Sequence, residues 1–285
     1  MDDEAAAFAR SFYDRYGYDF RGYRGTSLAN RLRHLATKLR LSGISELNDW
    51  ALSHPGEVDF IVENITVPIS DYFREPEAFS EVTRHVLPML SSFSNITIWH
   101  AGCAGGEEVY SLAILLTEAG LYPRCRIFAS DITRRRQPKA ANSPCLSPDR
   151  IEEINRRYLL GGGTRHVSSY VAPSGNGYRL DPALLRNVSF FEHNLASDGV
   201  FCEANLIFCR NVMIYFGDHL QRRVFDLFQD SLARGGLLCL GSREAPLYAS
   251  PAFAKAQGCN RLYRPLRPAR SPLQPGFEPT DESDE

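Results

Sequence analysis

The stretch His100-Ala101-Gly102-Cys103-Ala104-Gly105-Gly106-Glu107-Glu108 decides the fold. It follows the β-rich run Ile96-Thr97-Ile98-Trp99 and leads into an apolar-periodic segment, Glu108–Glu118, that reads as a helix. A glycine-rich turn between strand and helix lets the backbone approach a ligand closely, while the helix N-terminus offers unpaired N–H groups. Gly102, Ala104 and Gly106 take the places of a G-x-G-x-G pattern, with alanine in the middle. That spacing alone is common to many nucleotide sites. The two acids after it narrow the choice. Glu107 and Glu108 would repel a pyrophosphate, whereas S-adenosylmethionine brings a sulfonium and an α-amino group, both cationic. A dinucleotide oxidoreductase is correspondingly disfavoured.

Outward from the loop, short β-rich runs alternate with helical ones: Arg126–Ser130, Val188–Glu192, Asn205–Cys209, a helix from Leu220, and Gly236–Leu240. This is the signature of a mostly parallel sheet covered on both faces. Asp131 ends one strand, 131 − 106 = 25 residues after Gly106, where a carboxylate can accept both ribose hydroxyls of a nucleoside; capping the next segment is its bland alternative. Two more strand ends carry polar pairs, His193-Asn194 and Arg210-Asn211, at the carboxyl edge where open α/β sheets bind ligands. In the helix after Asp218, Asp218 and Gln221 suggest a capping box, Val224, Leu227, Phe228 and Ser231 share one side, and Gly235-Gly236 ends it. From Thr133 to Asn187 the alternation breaks at Pro138, Pro144, Pro148 and Gly161-Gly162-Gly163. There His166–Val171 and Tyr178–Leu180 flank Ser174-Gly175-Asn176-Gly177 as the arms of a hairpin, so the segment reads as an insertion with a small antiparallel unit.

Before the sheet, Ser27 can cap a helix in which Leu28, Leu32, Leu35 and Leu39 recur on one face, and Pro55 separates expected helices over Ser45–His54 and Gly56–Asn64. Eight Arg or Lys lie between Arg10 and Arg40 against Asp14 and Asp19, a local 8 − 2 = +6. Arg31, His34 and Lys38 share a stripe, which is either a solvated face or a dock for an acidic partner. The expected division is a helical domain over 1–66, an α/β domain over 67–264 with an insertion at about 133–187, and a proline-rich, acidic, disordered tail over 265–285. The chain's 285 residues, 44% hydrophobic, can bury one large core or two modest ones. A net charge of −2 supplies no field toward nucleic acid or an anionic membrane. Without a signal peptide or an apolar run of roughly 18 residues, a cytoplasmic monomer with no membrane insertion is expected. Seven cysteines without a C-x-x-C pair argue against a disulfide framework, and the seven histidines show no metal-ligand spacing.

Four strings then carry a resemblance, in order along the chain: Ile69-Ser70-Asp71-Tyr72-Phe73-Arg74-Glu75-Pro76, Trp99 through Ser111, Glu192-His193-Asn194-Leu195, and Phe208-Cys209-Arg210-Asn211-Val212-Met213-Ile214-Tyr215-Phe216. Together they resemble the CheR-type chemoreceptor methyltransferases, from about Phe8 to Arg264. The resemblance implies a small all-helical N-terminal domain, a Rossmann-like methyltransferase sheet and an inserted antiparallel β-subdomain. It implies S-adenosylmethionine as cofactor, held by Ser70, Arg74, Glu107, Asp131, Asn194, Leu195, Arg210 and Asn211, with Tyr215 and Arg74 as catalytic residues. Glutamate side chains of chemoreceptor or receptor-like cytoplasmic helices would be the acceptors, with the Arg31 and Lys38 face meeting them. The sequence departs from the family at Pro68, where Asn is usual, in the basic run Ile132–Pro138, and near Arg84, the sole candidate for a second catalytic arginine.

A glutamate with a pKa near ~4.3 is already a nucleophile at neutral pH, so such a site needs alignment and desolvation rather than a general base. That fits a sequence without a recognisable Ser-His-Asp or Cys-His constellation. The alternative is a CheR-like module that binds the cofactor and signals or scaffolds without efficient catalysis.

Overall fold

Residues 3–66, 70–133, 144–246 and 252–266 are described by the computed structural model of the chain. Pro68, the run from Arg134 to Pro138 and the tail from residue 267 lie outside them. Four helices come first: α1 (Asp3–Tyr16), α2 (Gly25–Lys38), α3 (Ile44–Ser53) and α4 (Val58–Ile65). They enclose a core of their own in which Phe8, Phe12, Leu32, Leu35, Leu47 and Ile61 are fully buried, the outcome expected of leucines at helical spacing. A single tight turn, Pro55–Glu57, separates α3 from α4. Helix α2 starts two residues before Ser27, which caps nothing there. Its start is set by docking instead: Arg24 N–H donates to the Tyr215 carbonyl at 2.9 Å and Gly217 N–H to the Gly22 carbonyl at 2.8 Å.

Residues 76–90 form one helical stretch, α5 (Pro76–Glu81) joined through a π-turn to α6 (Leu87–Leu90). The sheet follows: β1 (Ile96–Ala101), β2 (Cys125–Asp131), β5 (Val188–Glu192), β6 (Ala204–Cys209), β7 (Leu232–Leu240), β8 (Phe253–Lys255) and β9 (Leu262–Pro265), after the small pair β3 (Val171–Ser174) and β4 (Gly177–Leu180). Its order is β5-β2-β1-β6-β7-β9-β8, the first five mutually parallel and β9 antiparallel to both β7 and β8. Helices α7 (Glu107–Glu118), α8 (Pro148–Leu160) and α9 (Asp218–Ser231) complete the order. Chain order reverses between β1 and β6, so their carboxyl ends border the switch-point crevice of an open α/β sheet. Trp99 is wholly buried on β1, its indole N–H bonded to Ser130 Oγ at 2.8 Å. Among the described residues no helix is long and apolar enough to cross a membrane.

Three local expectations need correction. Gln221 makes no capping box with Asp218; its amide donates to the Met213 and Phe216 carbonyls, both at 3.0 Å, and fastens the loop before α9. Gly235-Gly236 does not end α9, which stops at Ser231; Gly235 lies at φ +82° where β7 shifts register against β6. The first hairpin arm begins at Val171 rather than His166, because residues 167–170 coil into a 3-10 turn. The insertion also holds α8, which prolines obscured. Pro148 occupies its first turn and Ser147 Oγ accepts from Arg150 N–H at 3.2 Å, a start signal readable in Ser147-Pro148.

A cleft at the switch point

Four strand ends and the helical domain surround one cleft, with about 800 Å³ of empty space including its open mouth. Gly102 and Ala104 come from the loop after β1, Asp131 from the end of β2, His193, Asn194 and Leu195 from the end of β5, and Arg210, Asn211 and Tyr215 from beyond β6. Ser70 and Arg74 precede α5, and Tyr23, Ile65 and Thr66 come from the helical domain. Of the residues expected to hold cofactor, all but Glu107 line the cleft. At the first turn of α7 the carboxylate of Glu107 folds over Gly105, where an added Cβ would stand 2.5 Å from it, and Glu108 lines the cleft instead. Arg84 lies outside the cleft, exposed, its Nε bonded to the Ser80 carbonyl at 3.3 Å.

The two cations expected to dock a partner part company. Arg31 turns toward the cleft, its guanidinium 4.5 Å from the centre of the Tyr215 ring and donating to the Ile65 carbonyl at 3.0 Å. Lys38 turns away, bonded to Asn64 Oδ1 at 3.0 Å and over the Phe60 ring.

The loop after β1 is shaped for close approach. Gly102 sits at φ +75°, and a Cβ there would stand 2.6 Å from a Val212 methyl. Gly102 and Cys103 both donate to the Ser130 carbonyl, at 2.8 and 2.9 Å, and Ala104 N–H reaches Asp131 Oδ2 at 2.9 Å. Among the described residues five non-glycines have φ above zero, and four of these, Phe73, Glu75, Ala104 and Asn211, belong to the segments that build the site. Strain of this kind persists where surrounding contacts enforce it.

A buried charge network supplies those contacts. The Arg210 guanidinium bonds Glu108 on one side, and the Arg74 carbonyl at 2.7 Å and Glu75 at 3.2 Å on the other. Glu75 also accepts from Ser242 N–H and Oγ, both at 2.9 Å. Burial would raise Glu75, but Arg210 and these hydrogen bonds bring its pKa down to about 2. Glu108 is pushed up to about 7 by burial, which Arg210 opposes. Burial, reinforced by Arg210, takes His100 down to about 3, so its imidazole is neutral. Glu244, buried at the turn after β7, accepts from the N–H groups of Asn211, Val212, Met213 and Gly241 at 2.6, 2.8, 2.7 and 2.8 Å. Neither Glu75 nor Glu244 is legible as a site residue in the sequence, because all their partners but Gly241 lie 31 to 167 residues away.

Ser70 Oγ, Asn211 Oδ1 and His193 Nδ1 are buried on this wall without a hydrogen-bond partner. The Asp131 carboxylate at the end of β2 suits the ribose hydroxyls of S-adenosylmethionine, Arg74 suits its carboxylate, and Ile132, Leu195 and Val212 supply apolar surface, while Glu108 is taken up by Arg210. The residues present therefore fit that cofactor.

Comparison with known proteins agrees with this chemistry. Residues 69–259 match the CheR methyltransferase SAM binding domain, and residues 3–66 the CheR methyltransferase all-alpha domain. The Pseudomonas putida protein named Cher3 is 38% identical over 244 residues, spanning 86% of this chain and 89% of its own. A chemotaxis protein methyltransferase of Klebsiella aerogenes is 31% identical over 252 residues, spanning 81% and 79%. One from Listeria monocytogenes is 27% identical over 246 residues, spanning 86% and 90%.

Proposed function

Since the chain belongs to the CheR methyltransferase family, and is thus a methyltransferase that uses S-adenosylmethionine, we propose that it esterifies glutamate side chains of a chemoreceptor or receptor-like signalling protein. The observation that carries this acceptor is the Arg31–Tyr215 pair, a guanidinium stacked on a phenol ring at the wall of the cofactor cleft. A cation held there favours an anionic acceptor.

When bound, the cofactor supplies a sulfonium methyl that a carboxylate oxygen can displace in line, with no base required. The residues of this chain contribute alignment. Ser70, Arg74, Asp131, Asn194, Leu195 and Asn211 would hold the cofactor, with Arg210 fixing Glu108 and Glu75 behind it. Tyr215 would orient the acceptor carboxylate, and Tyr23, Ile65 and Thr66 would exclude water from above. Family chemotaxis relatives support a receptor as the protein substrate.

The test is incubation with labelled S-adenosylmethionine and a panel of receptor cytoplasmic fragments. Base-labile methyl esters are the expected product. Tight cofactor binding with no ester on any fragment would favour a signalling or scaffold role instead.

A further inference from the structure

Tyr215 lines two clefts. The second has about 1120 Å³ of empty space, its open mouth included, and lies between the start of α2 and the turn after β7. Arg24, Ser27 and Asn30 form one wall, and Tyr215, Arg243 and Glu244 the other. Its charges are unequal. Arg24 donates its Nε to the Phe216 carbonyl at 3.1 Å and keeps its charge in the wall. Arg243 is exposed. Glu244, the acid of this lining, has both oxygens taken up by four backbone N–H groups.

We propose that this second cleft receives the acceptor segment, and that Arg243 selects an acidic one. The inference rests on the methyl-transfer reading, since it takes Tyr215 as the partition between cofactor and acceptor. Arg243 is carried on a stem fixed from both sides: Ser242 is bonded through N–H and Oγ to Glu75, and Glu244 grips the loop after β6. An exposed side chain on a rigid stem can read a partner without first ordering its backbone. Its planar fork matches a carboxylate in two-point contact. On a helical acceptor, acids three or four residues from the reacting glutamate share its face, so they can meet Arg243 while that glutamate reaches Tyr215.

The test uses the full chain with S-adenosylhomocysteine and two labelled alanine-rich helical peptides, one with glutamates three and four residues apart, the other with glutamines in their place. Wild type should bind the glutamate peptide in preference. Arg243→Ala should weaken that binding by about tenfold and Arg243→Glu by more, neither changing the glutamine peptide. Arg234→Ala, an exposed arginine near the start of β7 and so at the far end of that strand from Arg243, should stay within about twofold of wild type. Unchanged binding by Arg243→Ala, equal loss for both peptides, or equal loss in Arg234→Ala overturns the proposal. Ester formation on receptor fragments then separates the two readings. Ester formed by Arg243→Ala at wild-type KM sinks the role of Arg243 alone; Arg243-dependent binding with no ester from wild type sinks methyl transfer and leaves the acid-binding cleft standing.

Discussion

Tyr215 is held from three sides: its carbonyl accepts from Arg24 N–H, its ring lies under Arg31, and its edges face both clefts. A tyrosine that merely filled a strand-to-helix loop would be buried, and this one is only partly buried. Tyr215→Phe keeps the ring and its cation while deleting the hydroxyl. Its methyl transfer should fall by up to about a hundredfold with cofactor affinity nearly unchanged if, as proposed, the lost group orients the acceptor. Single-turnover rates beside a cofactor titration check this, and equal turnover removes Tyr215 from the mechanism. At the same scale, sequence could place acid after the glycines but not say which acid lines the cleft. Consecutive residues on a helix point about 100° apart, since a turn takes about 3.6 residues, and only the orientation of α7 against β1 puts Glu108 in the cleft and Glu107 over Gly105.

The loop between β6 and α9 is the element on which the site depends most. It carries Arg210, Asn211 and Tyr215, and it is shaped from outside itself, by Glu244 after β7, Gln221 in α9 and the chain around Gly22. Glu244→Gln replaces an acceptor of four N–H groups by an amide that can accept on one oxygen only and turns its own NH₂ toward donors. A loss of roughly 2–4 kcal/mol in stability is expected, together with weaker cofactor binding because Asn211 is released. Denaturant unfolding and calorimetric titration read the two effects, and a destabilised variant with wild-type affinity would limit Glu244 to the fold. The insertion is tied down comparably: Asp71, next to Ser70, accepts from both Arg150 and Arg157 of α8. Periodicity revealed the strands and the leucine helix because each repeats locally. Helix α8 was hidden because the prolines around it signalled a break more strongly than Ser147-Pro148 signalled a start.

Across the whole molecule, Glu75 joins the segment before α5 to the ends of β6 and β7 through Arg210, Asn211 and Ser242. Its pKa falls from an ordinary 4.5 to about 2 in the folded protein. Between those values the unfolded chain binds more protons, so the stability Glu75 contributes is present above 4.5 and lost as pH falls toward 2. Glu75→Gln lacks that titration. The stability gap between wild type and variant should therefore narrow across this window in melting curves, and a gap constant with pH would contradict the pairing. The sequence by itself determined the α/β class, the order of helical part and sheet, the strand ends that carry polar groups, and the glycine-rich loop with acid after it. Each is written in neighbouring residues, through spacing of two, three or four. Only the tertiary structure decided that Arg31 faces Tyr215 while Lys38 does not, that Glu75 and Glu244 brace the site, and that Tyr215 separates two clefts. Those contacts join residues tens to nearly two hundred positions apart, and their geometry exists only once the sheet has brought its carboxyl ends under the helical domain.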